Sequence, residues 1–132
     1  MAEVTLKIIQ ISDSAAEGKV RGHSAFIDRP EAKGGVDKGP MGGEFFLMGL
    51  GGCFMSNLLA AVKAREADVS NVRIEVTGTI EDSPMRFTAA QLAITADFQD
   101  RTLMNKLVTI AERGCLVANT VKNTLDLSIV VN

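Results

Sequence analysis

Glu44-Phe-Phe-Leu-Met-Gly-Leu-Gly-Gly-Cys53-Phe-Met-Ser-Asn-Leu-Leu-Ala-Ala-Val-Lys-Ala-Arg-Glu66 decides how this chain folds. Read as a helix at ~1.5 Å per residue, it is about 35 Å long. It is apolar on nearly every face, so it needs burial all round, in a core, an interface or a membrane. Gly49, Gly51 and Gly52 each cost about 1 kcal/mol against Ala in a helix interior. The expected return is close approach of another backbone beside Cys53. Roughly 20 apolar residues can cross a bilayer, and Gly52 with Ser56 is a small-xxx-small pair. Against a span, Glu44 opens the segment, Asn57 interrupts it, and the rest of the chain reads as amphipathic strands that need something to cover. The stretch is therefore read as buried inside a domain or between two subunits, with no membrane partner.

The surroundings agree with a soluble setting. The chain has 132 residues, read as one domain over 1–132, with formal net charge −2 and no Trp or Tyr. No basic face or lysine run points to nucleic acid or anionic lipid. Met1 to Lys7 alternates polar and apolar residues and lacks the basic and apolar regions of a signal peptide, so a cytoplasmic location is expected. Two cysteines in a reducing compartment are buried thiols or redox groups, not a disulfide framework. With His23 alone, a His-based zinc site or a Ser-His-Asp triad lacks material within one chain.

Upstream of the helix, Glu3 to Ile11 reads as a strand, Ser12 to Gly18 as a turn, and Lys19 to Asp28 as a second extended region with a break at Gly22. Their pairing gives an N-terminal antiparallel meander. Pro30 to Gly43 is a loop; it is no phosphate-binding P-loop, because Pro40 follows Gly39 where Lys-Ser/Thr is required. Glu44 suits the positive end of the helix dipole. Downstream, Val72 to Ile80 alternates with Val72, Ile74, Val76 and Ile80 inward. A turn at Glu81 to Pro84 leads to a second strand, Phe87 to Phe98, making a hairpin with one wet face. Asp100 is placed to N-cap a helix with Leu103, Leu107 and Ile110 on one face, and Gly114 to stop it. Leu116 to Asn123 is a short helix and Thr124 to Val131 the last strand. The order predicts an α+β domain with antiparallel sheet packed around the long helix.

The cysteines are the candidate chemistry. Cys115 opens a helix, where free N–H groups and the dipole favour a thiolate. Cys53 lies mid-helix among apolar residues, where burial raises a thiol's pKa, so a reactive Cys53 needs a cation from elsewhere in the fold. Composition alone favours two buried structural thiols.

Two motifs change that balance. Glu44-Phe-Phe-Leu-Met-Gly-Leu-Gly-Gly-Cys53-Phe, followed by Glu112-Arg-Gly-Cys115-Leu-Val-Ala-Asn119, resembles the OsmC/Ohr family of thiol peroxidases. That family carries a Glu-Leu-(apolar/small)-Cys-Phe helix and a later small-Cys-Pro-Val-Ser/Asn motif. Element order and length extend the resemblance over the whole chain. It implies an OsmC-like fold in an intertwined homodimer, with each site lined by both chains. It also implies that Cys53 attacks an organic hydroperoxide and becomes a sulfenic acid. Cys115 then resolves it as a disulfide, which a dithiol reductant reopens. No cofactor or metal is implied, because sulfur carries the redox change.

The family's activating Arg, held by a Glu at the helix start, maps onto Arg29 and Glu44. A gapless alignment puts Glu31 under that Arg instead, with Arg21 and Arg86 as fallback cations. Glu44 lies nine residues before Cys53, half a turn out of phase on a helix. It can hold a loop Arg without touching the thiol. Met41-Gly42-Gly43 stands for the usual Asn-Pro-Glu, and Leu116 replaces the usual Pro, which marks a divergent branch. His23 is read as a strand residue. The resulting expectation is a cytoplasmic peroxidase of organic, lipophilic hydroperoxides. The alternative is a binding protein holding a hydrophobic small molecule in an apolar dimer cleft.

Overall fold

In the computed structural model, which describes residues 1–132, the decisive stretch is a helix. In chain order the elements are β1 (Lys7–Gln10), β2 (Ala16–Val20), β3 (His23–Ile27), α1 (Gly42–Ala64), β4 (Val69–Glu81), β5 (Arg86–Phe98), α2 (Arg101–Gly114), α3 (Leu116–Val121) and β6 (Asp126–Val131). They fall into two compact units, Met1–Phe46 and Leu47–Asn132, with α1 running from the first into the second.

The first unit is an antiparallel meander ordered β1-β2-β3. Its first turn is shorter than the sequence reading gave. The Ser12 hydroxyl accepts from the Ser14 and Ala15 N–H groups, and the Ala15 carbonyl accepts from Ile11 and Ser12. The turn therefore closes by Ala15, and Ala16–Gly18 belongs to β2. Lys19 to Asp28 divides at Arg21, whose φ of 54° lies in the left-handed region.

The loop after β3 is built on Asp28, which the sequence reading passed over. Its buried carboxylate accepts from the N–H groups of Arg29, Val36 and Lys38 at 2.7, 3.2 and 3.1 Å. Gly35 packs directly on the Arg29 carbonyl, where no Cβ fits. Burial pushes the Asp28 carboxyl up, but the N–H groups of Lys38, Arg29 and Val36 and the Ser14 side chain outweigh it and hold the pKa below the ordinary value.

The second unit packs one stripe of α1 (Leu50, Gly51, Phe54, Leu58, Ala61) into a core with Leu92 and Ile94 of β5, Met104 and Leu107 of α2 and Val121 of α3. Within one chain α1 is not covered all round: Met48 and Leu59 are each 49% exposed. The glycines also differ from expectation. A Cβ at Gly51 would stand 2.6 Å from the Val76 side chain, so that glycine admits a side chain of β4, not a backbone. Gly49 and Gly52 face open space.

The sheet of this unit runs β4-β5-β6. Its hairpin is antiparallel as expected, with Ile74 opposite Ile94. The register shifts between Thr79 and Ile80, which turns Ile80 outward instead of into the core. β6 pairs with β5 in parallel, correcting the all-antiparallel expectation. The cause is the two-helix connection through α2 and α3, which returns the chain to the end of the sheet where β5 began.

Asp100 caps α2 as expected, accepting from the Leu103 N–H at 3.0 Å. Gly114 does not end α2 by a left-handed turn, since Gly34 is the chain's one glycine with positive φ. Gly114 is the last helical residue, and the extended backbone of Cys115 makes the break.

Candidate functional site

Cys115 is the single residue between α2 and α3 and is wholly shielded from solvent. Its sulfur caps α3, accepting from the Ala118 N–H at 3.4 Å. Cys53 lies half-buried on α1, next to fully buried Phe54. The two thiols meet at the start of α3.

Their protons are held unequally. The Val117 N–H is the strongest influence favouring the Cys53 thiolate. Burial opposes ionisation, while the Cys115 thiol and the Leu116 N–H add two further donors, and the net effect holds the Cys53 pKa below the ordinary thiol value. For Cys115 burial dominates and pushes the thiol up. The Ala118 N–H pulls it down, and Cys53 raises it again as hydrogen-bond acceptor and as neighbouring charge. Of the two thiols, Cys53 is therefore the more readily ionised.

One expectation is corrected here. The helix start does favour a thiolate, but part of its N–H set serves Cys53, and burial of Cys115 outweighs the rest. Cys53 is lowered by neutral donors of its own chain, without a charged group among the causes.

Asn57, read from sequence as an interruption, belongs to this site. Its amide Nδ2 donates to the Cys53 carbonyl at 2.9 Å and lies 3.9 Å from the Cys53 sulfur. The available signal was its position one helical turn after the cysteine in an otherwise apolar run.

Arg29 and Glu44 both lie in the first unit. Arg29 is exposed, and its backbone is fixed at both ends, the N–H on Asp28 and the carbonyl on the Asp37 N–H. Glu44 reaches back to the Met41 N–H at 2.8 Å, the carboxylate half of a capping box at the start of α1. No ion pair joins Arg29 and Glu44; Lys19–Glu17 is the one ion pair of the chain. Glu31 opens a single 3-10 turn, Glu31–Lys33. Arg86 is engaged by the Asp82 and Pro84 carbonyls at the β4–β5 turn. His23 pairs with Val20 at the tight β2–β3 turn. No three His, Cys, Asp or Glu side chains gather as metal ligands.

With this geometry in hand, comparison with known proteins is informative. The family model described as OsmC-like protein matches residues 35–130. Among solved structures, an osmotic stress induced and detoxification response protein from Psychrobacter arcticus superposes with TM-score 0.85 at 16% identity, covering 100% of this chain and 98% of the other. An organic hydroperoxide resistance protein OsmC from Legionella pneumophila gives TM-score 0.76 at 16% identity, over 100% and 98% of the two chains. The organic hydroperoxide resistance protein OhrB of Bacillus subtilis gives 0.72 at 18%, over 97% and 98%. No curated protein matches the chain by sequence. At these identities the superpositions establish the fold, and the family model covers most of the length. The chain belongs to the OsmC-like protein family.

Proposed function

We propose that the protein is a thiol peroxidase that reduces organic hydroperoxides in oxidative-stress defence. The observation that carries this reading is the unequal thiol pair: a lowered, half-accessible Cys53 beside a raised, shielded Cys115. The Cys53 thiolate attacks the outer peroxide oxygen, and the O–O bond breaks. The alkoxide takes a proton and leaves as the alcohol, and Cys53 becomes a sulfenic acid. The Cys115 sulfur then attacks the Cys53 sulfur, forming the disulfide and releasing water. A dithiol reductant returns both thiols and is itself oxidised to a disulfide. The family assignment supports the reading, because two similar structures are named organic hydroperoxide resistance proteins. The reading places the reaction in the cytoplasm, where dithiol reductants are maintained.

The test is oxidation of the reduced protein by one equivalent of cumene hydroperoxide, followed by intact mass. Loss of two hydrogen atoms per chain is expected, and gain of one oxygen atom in Cys115→Ser. An unchanged mass would overturn the reading.

Arg29 is proposed as the activating cation, with Glu44 holding it, in a homodimer whose sites draw on both chains. The exposed apolar face of α1, with Met48 and Leu59, supports a second copy as the cover. Opposite charge within ~4–6 Å moves a pKa by 1–3 units. Arg29→Ala should then raise the Cys53 pKa by about one unit and slow peroxide reduction about tenfold. Equal rates in Arg29→Ala and parent would remove Arg29 from the mechanism and bring Arg21 and Arg86 to test.

A second reading rests on a different observation. The first unit holds an apolar cavity of about 340 Å³ lined by Leu6, Ile8, Val20, Ile27 and Phe45, suited to a hydrophobic small molecule. In a binding protein the thiols are bystanders, and Cys53 alkylation slows about tenfold per pH unit below ~8.5.

A further inference from the structure

Asn57 has no part in the steps above, yet both ends of its amide are placed. It is half-buried on α1, four residues past Cys53. A polar side chain in an apolar run needs partners. Its Nδ2 finds them on a single residue, the Cys53 carbonyl at 2.9 Å and the Cys53 sulfur at 3.9 Å. Its Oδ1 points at Gly114, where a Cβ would stand 3.0 Å away. The backbone at Gly114 does not call for glycine, because its φ is not left-handed. A glycine in a helical turn costs stability against alanine. A Cβ at Gly114 would press on the Asn57 amide by a few tenths of an ångström.

We propose that Asn57 is a positioning residue for the thiol pair, clamping the Cys53 turn of α1 against the α2–α3 junction, with Gly114 as the socket that admits its amide. This rests on reading Cys53 as the reactive thiol. The amide packs between the nucleophile's turn and the residue before Cys115, so that the sulfur of Cys53 is presented to the start of α3. It does so without charge. The groups acting on Cys53 from the junction are the Val117 and Leu116 N–H groups and the Cys115 thiol, and the Asn57 amide of its own helix lies 3.9 Å from the sulfur. A carboxylate of nearly the same shape at position 57 would be the one formal charge among them.

The experiment measures Cys53 alkylation against pH in a Cys115→Ser background, where the hydroxyl still donates. Asn57→Asp should raise the Cys53 pKa by about one unit and slow alkylation at pH 7 about tenfold, because a like charge disfavours the thiolate. Asn57→Ala, which loses the clamp, should slow it about threefold. Gly114→Ala should act in the same direction by displacing the amide, and the double substitution Asn57→Ala with Gly114→Ala should be no slower than Asn57→Ala alone. Thermal unfolding of the same four proteins of the cycle reads the 57–114 coupling independently of thiol chemistry. The proposal is overturned if Asn57→Asp titrates like the parent, or if Gly114→Ala is fully additive with Asn57→Ala in both readouts. Should Asn57→Asp fail to fold, the Ala cycle decides. A parent Cys53 that titrates as an ordinary thiol counts against the peroxidase reading, and the unfolding cycle then still decides the clamp.

Discussion

Leu116 shows how a residue can contribute through its backbone alone. Its side chain is 68% exposed, while its N–H is among the groups that favour the Cys53 thiolate. As the first residue of α3 it can be replaced by Pro, whose missing N–H and fixed φ suit that position. Leu116→Pro should therefore fold normally, raise the Cys53 pKa and slow its alkylation at pH 7 by about tenfold, the loss of one donor to a charged group. Leu116→Ala should match the parent. Equal rates for Leu116→Pro and parent would show that this N–H does not act on the sulfur. At this scale both cysteines were legible as the candidate site, from their motifs. Which of them is activated was not legible from local rules. The donors on Cys53 come from a segment 63 positions on in sequence, and the helix-start rule for Cys115 omitted a burial that only the folded core supplies.

Elements were legible where one pattern dominated. The alternation of β4, the Asp100 cap and the apolar length of α1 each rest on local spacing. The parallel placement of β6 and the outward turn of Ile80 were missed because they depend on where a connection returns and on a register shift, neither of which alternation encodes. The loop after β3 was legible only as a loop, because its organiser is one carboxylate meeting N–H groups eight and ten residues away. Asp28→Asn should loosen that loop and lower Tm by about 5 °C. The sign of its pH dependence follows from a depressed folded pKa. The contribution is present above the unfolded carboxyl pKa and is lost as pH falls through the lower folded value. Acidification from pH 5 to pH 2 should thus lower the Tm of the parent more than that of Asp28→Asn. Parallel Tm curves would show that the carboxylate charge does not hold the loop.

For the whole molecule, the decisive feature is the apolar surface that a single chain leaves exposed. The all-round hydrophobicity of α1 was legible, and one chain buries only part of it. In a dimer of the 14.1 kDa chain, Met48→Glu with Leu59→Glu should place charges in the covered face and give monomer by sedimentation. Parent protein sedimenting as monomer would remove the dimer from the proposal. On the proposed function, the shielding of Cys115 has a further consequence once the two sulfurs are joined. Exchange begins with a thiolate striking one sulfur and expelling the other. With Cys53 half-buried and Cys115 shielded, the proposed cycle would take an incoming reductant at Cys53 as a mixed disulfide, with the regenerated Cys115 thiol still beside it. A monothiol captured in this way is exposed to expulsion by Cys115, which closes the ring again. A dithiol escapes by cyclising through its own second sulfur, with the lowered Cys53 thiolate as the departing group. On that reading, the choice of reductant follows from which of two sulfurs the fold leaves uncovered.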